Sequence, residues 1–160
     1  MKQPNPFLKI CFFFLLAILA SLFNWFLAKL RISVNIYLLL VMAIALWRGR
    51  MSGQLWGFFL GFWADVFSIY LFGLNSFLLT LIGFVVGNFR QRLDEESIFT
   101  WLFLGLLGSL GYCLGKIILL KIFVARLDFI LLVEMKQIVV NLLFSPIIFY
   151  LYRRFFRYYT

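Results

Sequence analysis

The chain has 160 residues, of which 65% are hydrophobic, 21% aromatic and only 13% charged, with a net charge of +9 and no His. An average soluble domain carries about 45–50% apolar and about 25% charged residues, and a domain of this size cannot bury so large an apolar excess in its own core. These figures exclude a soluble domain, and the missing imidazole excludes a Ser-His-Asp triad, a histidine metal site and a histidine proton shuttle.

The first apolar run extends from Ile10 to Ala28 and ends at Lys29 and Arg31. A transmembrane helix needs about 20 such residues. The run is too long for a signal-peptide core and has no small-residue cleavage site, so it is expected to stay as an anchor. The residues before Cys11 also lack the small side chain of a lipoprotein signal. A short second run, Val34 to Trp47, stops at Arg48-Gly49-Arg50, and a third, Met51 to Phe72, contains Asp65. Gly73-Leu74-Asn75 then reads as a tight uncharged turn, because Gly and Asn tolerate positive φ. The fourth run, Ser76 to Phe89, ends at Arg90, and the connection from Arg90 to Ser97 holds five charges and must lie in water. The fifth, Ile98 to Gly115, meets Lys116. From there to Lys136 apolar residues mix with Lys121, Arg126, Asp128 and Glu134, which suggests a helix end followed by an interfacial segment. A sixth run, Ile138 to Tyr152, precedes the aromatic-basic tail Arg153-Arg154-Phe155-Phe156-Arg157-Tyr158-Tyr159.

The expected fold is all-α: one integral membrane domain over residues 1–160, a polytopic bundle of about six transmembrane helices, or five if the short second run is re-entrant. Six crossings put both termini on one side. That side collects nine cations (Lys2, Lys9, Arg48, Arg50, Arg90, Arg92, Arg153, Arg154 and Arg157) against six on the other (Lys29, Arg31, Lys116, Lys121, Arg126 and Lys136). Basic residues favour the cytoplasmic face, so both termini are expected in the cytoplasm. The arginines lie where apolar stretches end, which points to lipid headgroups as the partner of the positive charge and not to nucleic acid.

Catalytic chemistry finds no residues to carry it. Cys11 and Cys113 form no CxxC spacing and read as buried small hydrophobes. No phosphate-binding GxxxxGK[ST] loop is present. The acidic group Asp94, Glu95 and Glu96 sits in the charged connection. No catalytic residue, metal site or cofactor is expected.

The informative pattern lies in the third helix, where Gly53, Gly57, Gly61 and Asp65 recur every four residues and share one face. Glycine lets a neighbouring backbone come close, so this face should contact another helix or a partner protein. Gly83 and Gly87 repeat the spacing on the fourth helix, and Gly111 and Gly115 on the fifth. An acid inside a membrane is expensive, about 2.5–3.5 kcal/mol at a helix centre, so Asp65 should face protein. It either satisfies a neighbouring helix or the Gly73-Asn75 turn, or shapes a site for a partner or ligand. Depth along the helices suggests a buried ion pair with Lys116, with Asn75 as the fallback partner. Asn24 and Asn141, deep in apolar runs, read as hydrogen-bonding glue between helices.

Residues Asn35 to Arg92 resemble the rod-shape-determining protein MreD family of bacteria. That family has a short apolar helix, an Arg-Gly turn, a glycine-stepped helix ending in Asp, then Gly-x-Asn and a glycine-containing helix ending in basic residues. Here these are Tyr37 to Trp47, Arg48-Gly49, Gly53/Gly57/Gly61/Asp65, Gly73-Leu74-Asn75, and Gly83/Gly87 before Arg90. One departure is Val34-Asn35, where family members usually carry a Pro. The resemblance implies a non-catalytic subunit of the inner-membrane elongation machinery for peptidoglycan. It also implies association with MreC, a single-span scaffold, and regulation of RodA, its transpeptidase partner and the MreB filament. The alternative from another class is the substrate-binding subunit of an energy-coupling-factor vitamin transporter, a small basic six-helix bundle that the fold would resemble. Such a subunit needs a polar pocket near its outer face.

Overall fold

The computed structural model describes the backbone of residues 6–30, 34–68, 71–93, 97–123 and 130–156, and the side chains of all of these except 6–14, 16, 130–134 and 155–156. Six α-helices make up the described chain: α1 (Pro6–Lys29), α2 (Ile36–Arg48), α3 (Arg50–Val66), α4 (Leu74–Phe89), α5 (Ile98–Phe123) and α6 (Ile130–Phe156). A 3-10 turn, Arg90–Arg92, follows α4, and the described residues contain no strand.

The short second run forms the centre of the molecule. Nine of the 13 residues of α2 are buried, and α2 touches all five other helices. A helix that is apolar all round is a buried one. At 1.5 Å per residue it is about 20 Å long, short of the roughly 30 Å hydrocarbon layer. The surrounding helices turn large apolar side chains outward, among them Leu22 on α1, Phe58 on α3, Phe77 on α4, Leu107 on α5 and Leu143 on α6. So much exposed apolar surface suits a lipid solvent. Among the described residues, two helical stretches, Ile98–Phe123 and Met135–Arg154, are long and apolar enough to cross a bilayer.

A single residue, Gly49, joins α2 to α3. Its φ of +86° is one that L side chains rarely adopt, so glycine allows the chain to reverse there without strain. Asn35 caps the other end of α2, its side-chain oxygen accepting from the Leu38 N–H at 3.1 Å. In α6, Pro146 cannot donate to the carbonyl of Leu142. The hydroxyl of Ser145 donates to that carbonyl at 3.0 Å, so the helix passes through the proline with the acceptor satisfied.

The helix bounds differ from the apolar runs at three places. The third helix ends at Val66 instead of Phe72, because the N–H of Phe67 turns back to the carbonyls of Ala64 and Asp65. Gly73, at φ +92°, precedes α4, so Leu74 and Asn75 form its first turn instead of a loop. Helix α5 continues through Lys116 and Lys121 to Phe123, and α6 already begins at Ile130. The stretch expected to hold a helix end and an interfacial segment is thus largely helical, with Arg126 and Asp128 outside the described residues. Helix α5 passes Lys116 because that side chain is buried in the bundle, where the helix is still needed for packing.

Candidate functional site

Helices α3 and α4 run antiparallel with their backbones in close contact, and the glycines are what permit it. A Cβ on Gly53 would come within 2.6 Å of the Gly83 carbonyl, one on Gly57 within 2.5 Å of the Leu79 carbonyl, and one on Gly61 within 2.5 Å of the Ser76 Cα. At the far end of α4, a Cβ on Gly87 would lie 2.5 Å from the Cα of Arg50. Each step of four along α3 thus meets a step of four back along α4. The glycine stripe, expected to serve a neighbouring helix or a partner, faces α4 of the same chain. On α5 the repeat behaves differently: Gly115 meets the Leu78 side chain, whereas Gly111 faces open space.

Asp65 continues the stripe by one step and reaches the N-terminus of α4. Its Oδ1 accepts from the N–H of Asn75 at 2.9 Å. Its Oδ2 accepts from the N–H and the hydroxyl of Ser76, both at 2.9 Å. The first N–H groups of a helix have no intrahelical acceptor and carry the positive end of its dipole. A carboxylate there meets both needs. The side chain is 2% exposed, so this cap is a buried one. No ion pair joins Asp65 to Lys116 among the described residues. Asn75, the fallback partner, holds the carboxylate instead through its backbone N–H, together with Ser76, because two aligned N–H groups and a hydroxyl satisfy it at shorter reach than a Lys on another helix.

Other polar side chains gather at this same end of the bundle. Asn141 on α6 accepts from the Asn35 N–H at 2.9 Å and donates to the Ser109 hydroxyl at 3.1 Å, tying together α2, α5 and α6. The Ser21 hydroxyl receives the indole N–H of Trp63 and shares a hydrogen bond with the Tyr37 hydroxyl, which ties α1 to α2 and α3. The hydroxyl of Tyr112 on α5 donates to Asn75 Oδ1. Of the two asparagines expected to act as glue, Asn141 is bonded at both ends of its amide, while Asn24 Oδ1 is buried without a partner. A cavity of about 510 Å³ lies among these groups, with Asn24, Asn35, Asn75, Tyr112 and Lys116 on its walls.

The opposite end is basic and aromatic. Trp47 of α2 lies 6.2 Å from Trp101 of α5, and 5.7 and 5.4 Å from Phe149 and Tyr152 of α6, centroid to centroid. This cluster brings the C-termini of α2 and α6 to the N-terminus of α5. Arg48, Arg50, Arg90, Arg92, Arg153 and Arg154 therefore share one end, with Arg90 against Gly49 and Arg50 against Gly87. The guanidinium of Arg50 stands 5.5 Å from the centre of the Phe84 ring. Arg157 and the acidic group Asp94, Glu95 and Glu96 lie outside the described residues, as does the side chain of Cys11.

Comparison with protein families identifies the pattern. The family model of the rod shape-determining protein MreD matches residues 1–156. This chain belongs to the MreD family. No curated protein and no solved structure matches the chain. The MreD match extends well beyond the segment from Asn35 to Arg92 that carried the resemblance, and it takes in α1, α5 and α6 as well. A rod shape-determining membrane protein is the class it assigns, and nothing in the comparisons supports the vitamin-transporter alternative. Within this MreD-family fold, sequence reasoning missed Ser76, Ser109 and Tyr112. Each lies in a predominantly apolar helix, and periodicity gives no signal for a partner on another helix. Asn35 was more legible, since an Asn directly before an apolar helix is a cap signature.

Proposed function

We propose that this MreD-family chain is a non-catalytic subunit of the bacterial cell-elongation machinery, crossing the inner membrane six times with both termini in the cytoplasm. It helps maintain rod shape through contact with an MreC-like scaffold and, directly or through that scaffold, with RodA, its transpeptidase partner and the MreB filament. The observation that carries this reading is the family match over residues 1–156. Geometry supports it in two ways. The intramembrane polar groups Asp65 and Asn141 are engaged in holding helices together, which suits a scaffold more than a reaction centre. The gathering of six arginines at one end supports a cytoplasmic placement for that end.

The test combines depletion with affinity purification from membranes of the native host. Depletion should convert rods to rounded cells, and an MreC-like protein should co-purify with the tagged chain. Cells that keep their rod shape without it, or a purification that recovers the chain without the scaffold, would overturn the proposal.

A further inference from the structure

The outward apolar surface of the bundle is much shorter on one side than on another. Helices α3 and α4 lie side by side, and each carries a run of exposed apolar side chains: Leu55, Phe58 and Phe62 on the first, Phe77, Leu81 and Val85 on the second. Polar groups bound this face at both ends. At the arginine end stand the half-buried Gln54 and the exposed Asn88. At the other end α3 stops at Val66 and α4 starts only at Leu74. Non-helical backbone of this kind does not lie in hydrocarbon where lipid can reach it. At 1.5 Å per residue, Gln54 to Phe67 spans about 20 Å and Gly73 to Asn88 about 22 Å. The hydrocarbon layer of a bilayer is about 30 Å thick. Helix α5 differs. Its exposed face runs for about 35 Å from Ile98 to Lys121, with Ser109, Tyr112 and Lys116 all turned into the bundle.

An apolar face that is too short is met by a thinner bilayer, by flanking side chains that snorkel outward, or by protein that covers it. Arg50 speaks against snorkelling. Its Cα packs at Gly87, yet its guanidinium stands 5.5 Å from the centre of the Phe84 ring, about one turn nearer the middle of α4. The charge reaches back over the apolar face, and at that depth it needs headgroups or water to come to it. The side chains speak against a protein cover. Glycines 53, 57, 61, 83 and 87 are spent on the contact between α3 and α4. The outward face offers Phe, Leu and Val instead of the small residues through which membrane helices approach one another. We infer that the α3–α4 face holds a locally thinned bilayer and selects phospholipids with short acyl chains, while α5 meets a bilayer of ordinary thickness. The inference rests on α3 and α4 crossing the membrane, as in the proposed six-crossing scheme.

The test uses the full chain with Cys11 and Cys113 replaced by Ala. One fluorophore is attached at Phe58→Cys on α3 or at Leu107→Cys on α5, two exposed positions near the middle of their helices. The protein is reconstituted in equal mixtures of dimyristoleoyl and dierucoyl phosphatidylcholine, with one or the other brominated on its chains to quench the fluorophore. At position 58 the short-chain lipid should be enriched over the long-chain one by about twofold or more, and at position 107 the enrichment should be clearly smaller. Gln54→Leu combined with Asn88→Leu lengthens the apolar face by about one turn of α3 and should bring the ratio at position 58 at least halfway back to one. Should this double variant fail to fold, the comparison of positions 58 and 107 carries the test alone. Four results would each overturn the inference: equal quenching by both lipids at position 58, an enrichment at position 107 as large as at 58, a label at 58 that neither lipid quenches, or an unchanged ratio in the folded double variant. A reporter after Gly73 separates the two levels. A cytoplasmic signal there removes the crossing scheme and this inference with it, whereas an external signal with equal quenching at position 58 overturns the thinned bilayer alone.

Discussion

Removing the buried cap of α4 is the perturbation whose size the structure determines best. In Asp65→Ala the N–H groups of Asn75 and Ser76 and the Ser76 hydroxyl lose an acceptor that now stands 2.9 Å from each. Water cannot easily replace it, because Asp65 is 2% and Ser76 6% exposed. A buried group left without a partner costs about 1–3 kcal/mol. The hydroxyl can rotate to another acceptor, so the two N–H groups dominate and the expected loss is about 3–5 kcal/mol. Asp65→Asn keeps one accepting oxygen but turns an NH₂ group toward a donor and removes the charge that favours a helix N-terminus, for a loss of about 1.5–3 kcal/mol. Ser76→Ala removes one hydroxyl bond and should cost about 1 kcal/mol. Stability is measured by reversible denaturation in mixed micelles, supported by melting temperatures in detergent, with the order wild type, Ser76→Ala, Asp65→Asn, Asp65→Ala. Lys116→Gln combined with Asp65→Asn should be additive, since no ion pair links the two residues among the described contacts. If Asp65→Asn matched the wild type, or if the double variant showed coupling above about 1 kcal/mol, the cap would not be what holds this carboxylate in the membrane.

Other positions make smaller but equally direct tests. Gly57→Ala should destabilise the bundle by about 1–3 kcal/mol, because its Cβ would meet the Leu79 carbonyl at 2.5 Å and force α3 from α4. Gly111→Ala faces open space and should be neutral or stabilise by up to about 1 kcal/mol; melting temperatures that failed to separate the two would refute the close-packing account. Asn141→Leu should lower stability by about 2–4 kcal/mol, since it orphans the Asn35 N–H and the Ser109 hydroxyl and overfills a site that is 2% exposed; a variant that melts with the wild type would show that this knot is dispensable. Reporter fusions after Arg92 and after Tyr159 should read cytoplasmic and one after Gly73 external, and a cytoplasmic signal at Gly73 would overturn the six-crossing scheme.

The sequence by itself determined the class of solvent, the helical fold and the family. An apolar excess with charge confined to the ends of apolar runs admits few alternatives in a chain of this length, and ordered glycine steps are visible because helix geometry turns a spacing of four into one face. The same spacing could say that a close contact exists but not with what. Only the tertiary structure decided that α3 meets α4 along the whole stripe, so that Asp65 arrives at a helix N-terminus and not at Lys116. It also decided that the shortest apolar run occupies the centre, which periodicity cannot show, since a helix buried on every side has no polar face to mark it. The bonds of Asn141 and the open oxygen of Asn24 show the same limit. Both are lone asparagines in apolar helices, and whether such an amide is satisfied depends on groups that the chain brings to it from distant positions.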